Sequence, residues 1–154
     1  MQKFLKIFSF AIFSFILSNS AFAAEHGTAE EAQALVKKAI SYIKKNGLEK
    51  ANAEFSNPKG TFVDRDLYIY VTDMNGKALA HGANAKLIGK DLRTLRDVDD
   101  KAFLIEILAI ANSKGHGWVD YKWPNPASKD KQIVQKSTYF EKFGDVVVAC
   151  GIYK

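Results

Sequence analysis

The sequence predicts an α+β domain, a five-stranded antiparallel sheet with a long helix on one face. Three patterns predict it. Apolar residues recur at helical spacing through Ala32, Leu35, Val36, Ala39, Ile40 and Ile43. Residues 66–72 alternate as a strand does, with Tyr68 and Tyr70 on one face and Leu67, Ile69 and Val71 on the other. Three strand-like segments then close the chain, and their short links favour antiparallel pairing.

The first 23 residues read as an export signal. Lys3 and Lys6 precede an apolar run from Ile7 to Leu17, and Ala21-Phe22-Ala23 follows. That order of charged, apolar and small residues predicts cleavage after Ala23. The apolar run falls short of the roughly 20 residues that span a bilayer. Residues 24–154 are then one exported domain, periplasmic or secreted. Without Lys3 and Lys6 the 22 basic residues become 20 against 17 acids, a net charge of +3. So mild a charge, with no concentrated basic patch, excludes nucleic acid as a partner.

The first helix opens with Thr28 and Glu31 spaced as a capping box and stops at Asn46-Gly47. A shorter helix is expected over 48–55, ended by Asn57-Pro58-Lys59-Gly60. The strand over 66–72 turns at Asp73-Met74-Asn75-Gly76 into a partner strand over 77–81. Residues 82–95 are irregular. A third helix is expected over 99–112, its apolar face made of Phe103, Leu104, Ile107, Leu108 and Ala111. Asp97, Asp99 and Asp100 lack the glycine and distal glutamate of a calcium loop, so helix capping is their expected role. The last strands are expected over 117–123, 132–140 and 146–153, with Phe143-Gly144-Asp145 as a turn.

Few residues suggest reaction chemistry. The lone Cys150 lies in an apolar strand pattern and reads as a buried small hydrophobe. His26, His81 and His116 have no ligand spacing, and His26, near the new N-terminus, is expected to be disordered. No nucleophile elbow, zinc helix or phosphate loop is present. The expectation is a non-enzyme without metal or cofactor.

Residues 115–139 combine Trp118, Tyr121, Trp123, Lys136 and Tyr139. Rings with polar tips plus an ammonium can hold a small organic anion. Tyr121 and Trp123 share a sheet face by parity, as pocket wall or as core. Trp118 falls on the other face. A lysine inside a strand is costly when buried unless paired, and a bound anion would pair Lys136. Tyr68 and Tyr70 are pocket floor or core. His81 ends a strand, where it could bond a ligand or sit in a surface turn.

In these residues the chain resembles the single Cache family, the PAS-like extracytoplasmic sensor modules of bacterial chemoreceptors and histidine kinases. The marks run from Asp66-Leu67-Tyr68-Ile69-Tyr70-Val71-Thr72-Asp73 through Asn75-Gly76-Lys77 to His81, then Leu87-Ile88-Gly89-Lys90-Asp91-Leu92 and Leu95 to Phe103. They continue with Gly117 to Pro126, Lys136-Ser137-Thr138-Tyr139 and Gly151-Ile152-Tyr153. The resemblance implies a pocket for a small carboxylate on the face of the sheet away from the long helix. It implies that Lys136 and Tyr139, a Lys-x-x-Tyr pair, belong to that pocket. Alternation sets Tyr139 on the opposite face, so a bulge would be needed to bring both together. The expected ligand-binding set is Tyr68, Tyr70, His81, Tyr121, Trp123, Lys136 and Tyr139.

Typical members lie between two membrane helices and feed a cytoplasmic signalling domain. This sequence shows neither, so a free-standing sensor is expected, reporting to a membrane receptor, kinase or transporter. Related domains pair through the N-terminal helix, which implies a homodimer of that kind. The alternative is a periplasmic interaction module with no small ligand.

Overall fold

The computed structural model describes residues 26–154; the expected leader and its cleavage site lie outside them. Helix α1 (Ala29–Asn46) begins at the expected capping box, with Thr28 Oγ1 accepting from the Glu31 amide and the Glu31 carboxylate accepting from the Thr28 amide. Gly47 ends it at φ 82°, a conformation that suits glycine. Helix α2 (Leu48–Phe55) follows directly.

Strands β1 (Val63–Asp64), β2 (Leu67–Asp73) and β3 (Ala78–His81) come next. Both β1 and β3 pair with β2. Ile69 donates to Phe62 and accepts from Gly82, so the two short strands lie along one edge of β2. The other edge takes β6 (Val146–Tyr153), followed by β5 (Ile133–Phe143) and β4 (His116–Pro124), all antiparallel. The two-residue β1 is too short to leave a periodic signal.

Helix α3 (Phe103–Lys114) starts four residues later than its expected position. Its N-cap is Ala102, with no side-chain cap. The three aspartates therefore do not cap it. Asp97 instead accepts from the amides of Asp99 and Lys101 and from the Lys122 amide of β4, at 2.9 Å each. Asp100 takes φ 62° inside that turn. The local alternative offered by an aspartate side chain wins over helix extension. A second expectation also fails: His26 is not loose but lies 2.9 Å from Asp66, a fully buried carboxylate that also accepts from the Gly27 amide at 2.7 Å.

Side-chain parity divides the sheet into two faces. On one, α1 and α2 cover Ile69, Val71, Val146, Val148 and Cys150. On the other, α3 and the segment 82–102 cover Tyr68, Tyr70, Val119, Tyr121, Phe140, Val147 and Tyr153. Among the described residues no helix is long and apolar enough to cross a membrane.

Candidate functional site

The site is built on the second face, where β2, β4, β5 and β6 each contribute an aromatic or basic side chain. Lys136 is opposite Tyr121 on β4 and opposite Tyr153 on β6. Its side chain is fully buried, at 0% exposure. The aliphatic stem crosses β6 at Gly151, where an added Cβ would overlap the Lys136 Cε and Thr138 Oγ1. A glycine inside a strand marks such a close approach.

The ammonium group ends among phenols. Lys136 Nζ donates to Tyr68 Oη at 2.5 Å and to Tyr153 Oη at 3.2 Å. It also lies 4.1 Å and 4.7 Å from the centres of those two rings. The Tyr68 and Tyr153 hydroxyls are 3.2 Å apart, and Tyr153 Oη donates to the Pro124 carbonyl at 3.0 Å. No carboxylate forms an ion pair with Lys136 among the described residues. Burial, unopposed by a contacting anion, pulls its pKa down to about 7.

His81 is the second unusual group. Its Nδ1 accepts from the amides of Ala83 and Asn84 at 3.2 and 3.0 Å. The proton must then reside on Nε2, which has no protein partner among the described residues. Burial, with the nearby Lys136 charge, holds its pKa down at about 3. His81 is therefore a neutral N–H donor of fixed tautomer, stacked on Tyr70 with ring centres 5.8 Å apart.

Tyr68, Tyr70, His81, Tyr121 and Trp123 together wall a cavity, joined by Phe103 and by Leu87, Leu92 and Leu95. Tyr121 stacks on Phe103 at 4.1 Å and 8°, and Trp123 meets Phe103 edge-on at 5.3 Å. Thr138 donates to the Tyr121 hydroxyl at 3.0 Å. The buried Tyr70 hydroxyl lies near the hydroxyls of Tyr121 and Thr138 but makes no well-aligned hydrogen bond among the described residues. Free space inside is only about 10 Å³, close to one water molecule. Tyr68, His81 and Trp123 also border an outer recess of about 260 Å³, lined by Asn84, Lys86, Pro124, Pro126 and Lys131. A guest larger than water must push the inner rings apart or enter from this recess.

Six of the seven expected residues thus converge. Five wall the cavity, while Lys136 lies behind Tyr68 rather than at the cavity surface. Tyr139 requires correction. The β4–β5 register runs without a bulge from His116↔Glu141 to Pro124↔Ile133, so alternation holds. Tyr139 packs on the helix side against Trp118, ring centres 5.2 Å apart, and donates to Glu141 at 2.7 Å. Trp118 lies on that side too, as its parity predicts. Tyr153, Gly151, Phe103 and the three leucines were outside the expected set. Gly151 inside an apolar strand and the leucines of a largely polar stretch are signals that mark those residues, while nothing local marks Tyr153.

Comparison with known proteins places this geometry. The chain belongs to the single Cache family: the Single Cache domain 2 family matches residues 14–154. Over 92 residues, 58% of this chain, it is 34% identical to the Methyl-accepting chemotaxis protein McpP of Pseudomonas putida. That stretch is 16% of the receptor, so the chain spans only a small part of its relative's length. Among solved structures it is similar to a Cache chemosensory domain described as a structural basis for carboxylic acid recognition. The identity is 25% and the TM-score 0.68, covering 80% of this chain and 91% of that one. It is also similar to a periplasmic sensor domain of a chemotaxis protein, at 26% identity and TM-score 0.60, covering 80% and 88%. A methyl-accepting chemotaxis protein from Vibrio parahaemolyticus, at 23% identity and TM-score 0.68 over 80% and 86%, shares the fold.

Proposed function

We propose that this single Cache protein is an exported, non-catalytic binder of a small organic acid. The carrying observation is a fully buried lysine without a carboxylate partner among the described residues, set behind a cavity whose wall offers the His81 Nε2–H and the weakly held Tyr70 hydroxyl. The His81 Nε2–H and the Tyr70 hydroxyl are ready donors for a carboxylate. Lys136 adds positive charge through the Tyr68 hydroxyl, or directly once Tyr68 swings aside. The rings and leucines limit what else fits. The carboxylic acid recognition described for one solved relative supports the same reading.

The leader expected over residues 1–23 would deliver residues 24–154 to the periplasm or the medium. There the protein would report to a membrane receptor, kinase or transporter, with α1 as its self-pairing surface.

Charge-assisted hydrogen bonds contribute about 1.5–3 kcal/mol. Lys136→Ala is therefore expected to weaken acid binding by roughly tenfold or more, read by calorimetry. Acetate, propionate, lactate and pyruvate are the first acids to try. An acid at 100 times its Kd adds about 2.7 kcal/mol to stability, so a thermal-shift screen finds it. Unchanged affinity in the variant would remove Lys136 from the mechanism. A flat screen favours docking without a ligand. That second reading has one observation behind it, the exposed Val98 and Ile133 beside Trp123.

A further inference from the structure

We propose that acid capture takes up a proton at Lys136, so that the protein reads the anion and the ambient acidity together. This deepens the organic-acid reading and rests on it.

The geometry supplies the reason. Around the Lys136 amine, β2 and β6 present the phenols of Tyr68 and Tyr153, and among the described residues its only polar contacts are to those hydroxyls. Tyr121 of β4 and Cys150 of β6 are also buried, and burial pushes both toward about 12, so they stay neutral. His81 of β3 stays neutral above acidic pH. Asp66, just before β2, acts on Lys136 only at a distance, its oxygens committed to Gly27 and His26. The amine thus stands in low dielectric with no adjacent counter-charge, which disfavours its charged form. An arriving carboxylate brings the missing charge and favours the ammonium.

The sign follows from linkage. The free site loses its proton near pH 7, while the occupied site keeps it to higher pH. Between those limits each acid bound draws in a proton, and affinity falls as pH rises. If the complex restores an ordinary lysine, the loss between pH 7 and 9 is roughly fiftyfold. Simple carboxylic acids are ionised throughout that range, so the effect does not come from the ligand.

Two measurements test this. Lysine labelled with ¹³C at Cε, followed by NMR in the free protein, should show one resonance titrating near pH 7 and missing from Lys136→Arg. If all lysines titrate above pH 9, the proposal is overturned. Calorimetry of the wild-type protein with propionate, lactate and pyruvate at pH 8, in phosphate and in Tris, needs no variant to fold. Close to one proton taken up per acid bound is expected. Binding with no buffer dependence overturns proton coupling alone. No binding by any of the acids at any pH overturns the organic-acid reading and this proposal together.

Discussion

The two faces of the sheet follow opposite rules. Under α1 and α2 lies an apolar core of Val36, Ala39, Ile69, Val71 and Val148, with Tyr42 and Phe55 each packed edge-on against Phe62 nearby. Its one thiol, Cys150, stays neutral because burial pushes it up to about 12. Under α3 the same sheet buries Lys136, His81, Thr138 and four tyrosines. Buried polar groups cost free energy unless they are paired. Replacing a buried charge with apolar side chains often stabilises a protein. The helix-side face therefore holds the fold, while the other face carries groups that stability alone would not select.

The largest expected contrast comes from cutting into the first face. Phe62→Ala should cost about 3–5 kcal/mol in denaturant unfolding and leave acid affinity unchanged once the protein is folded. A comparable loss of affinity would mean that the faces are coupled. Next is Lys136→Met, which should stabilise the protein by about 1–4 kcal/mol at pH 6 while weakening acid binding. The size of that gain depends on pH. The folded pKa of Lys136 lies below its unfolded value, so the native state binds fewer protons between about 7 and the ordinary lysine range. Wild-type stability from this group therefore rises with pH across that window. The advantage of methionine is full below pH 7 and fades toward pH 10, as melting curves at several pH values would show.

A smaller effect is expected at Gly151. An alanine there would collide with the Lys136 stem, so Gly151→Ala should cost about 1–3 kcal/mol and lower acid affinity by displacing the amine. Undiminished affinity would remove that lysine position from the mechanism. Smallest is Tyr139→Phe, which removes the partly exposed bond to Glu141 at a cost of about 1 kcal/mol or less. It should leave binding untouched, since Tyr139 lies on the helix side. Weaker binding would break the division of the faces.

Local signals placed most elements because they reside in short windows. The Thr28–Glu31 box, Gly47 and the turns at 73–76 and 143–145 need only near neighbours. Parity within β2 and β4 also paired Tyr68 with Tyr70 and Tyr121 with Trp123 and set Trp118 on the face opposite the latter pair; that both pairs share one face came only from the pairing of the strands. The start of α3 was not legible, because Asp97 bonds to β4, which lies distant in sequence. Tyr153 was not legible either. Its partners Lys136, Tyr68 and Pro124 come from three other segments, and only the pairing of β5 with β6 brings them together.

The sequence by itself determined most elements, the alternation within each strand and the family, since helical and strand periodicity are written into side-chain order. Only the tertiary structure decided that Lys136 lies behind Tyr68, that His81 is a neutral donor, and that Tyr139 turns away from the cavity. Those outcomes depend on desolvation and on strand register, which arise when distant segments meet.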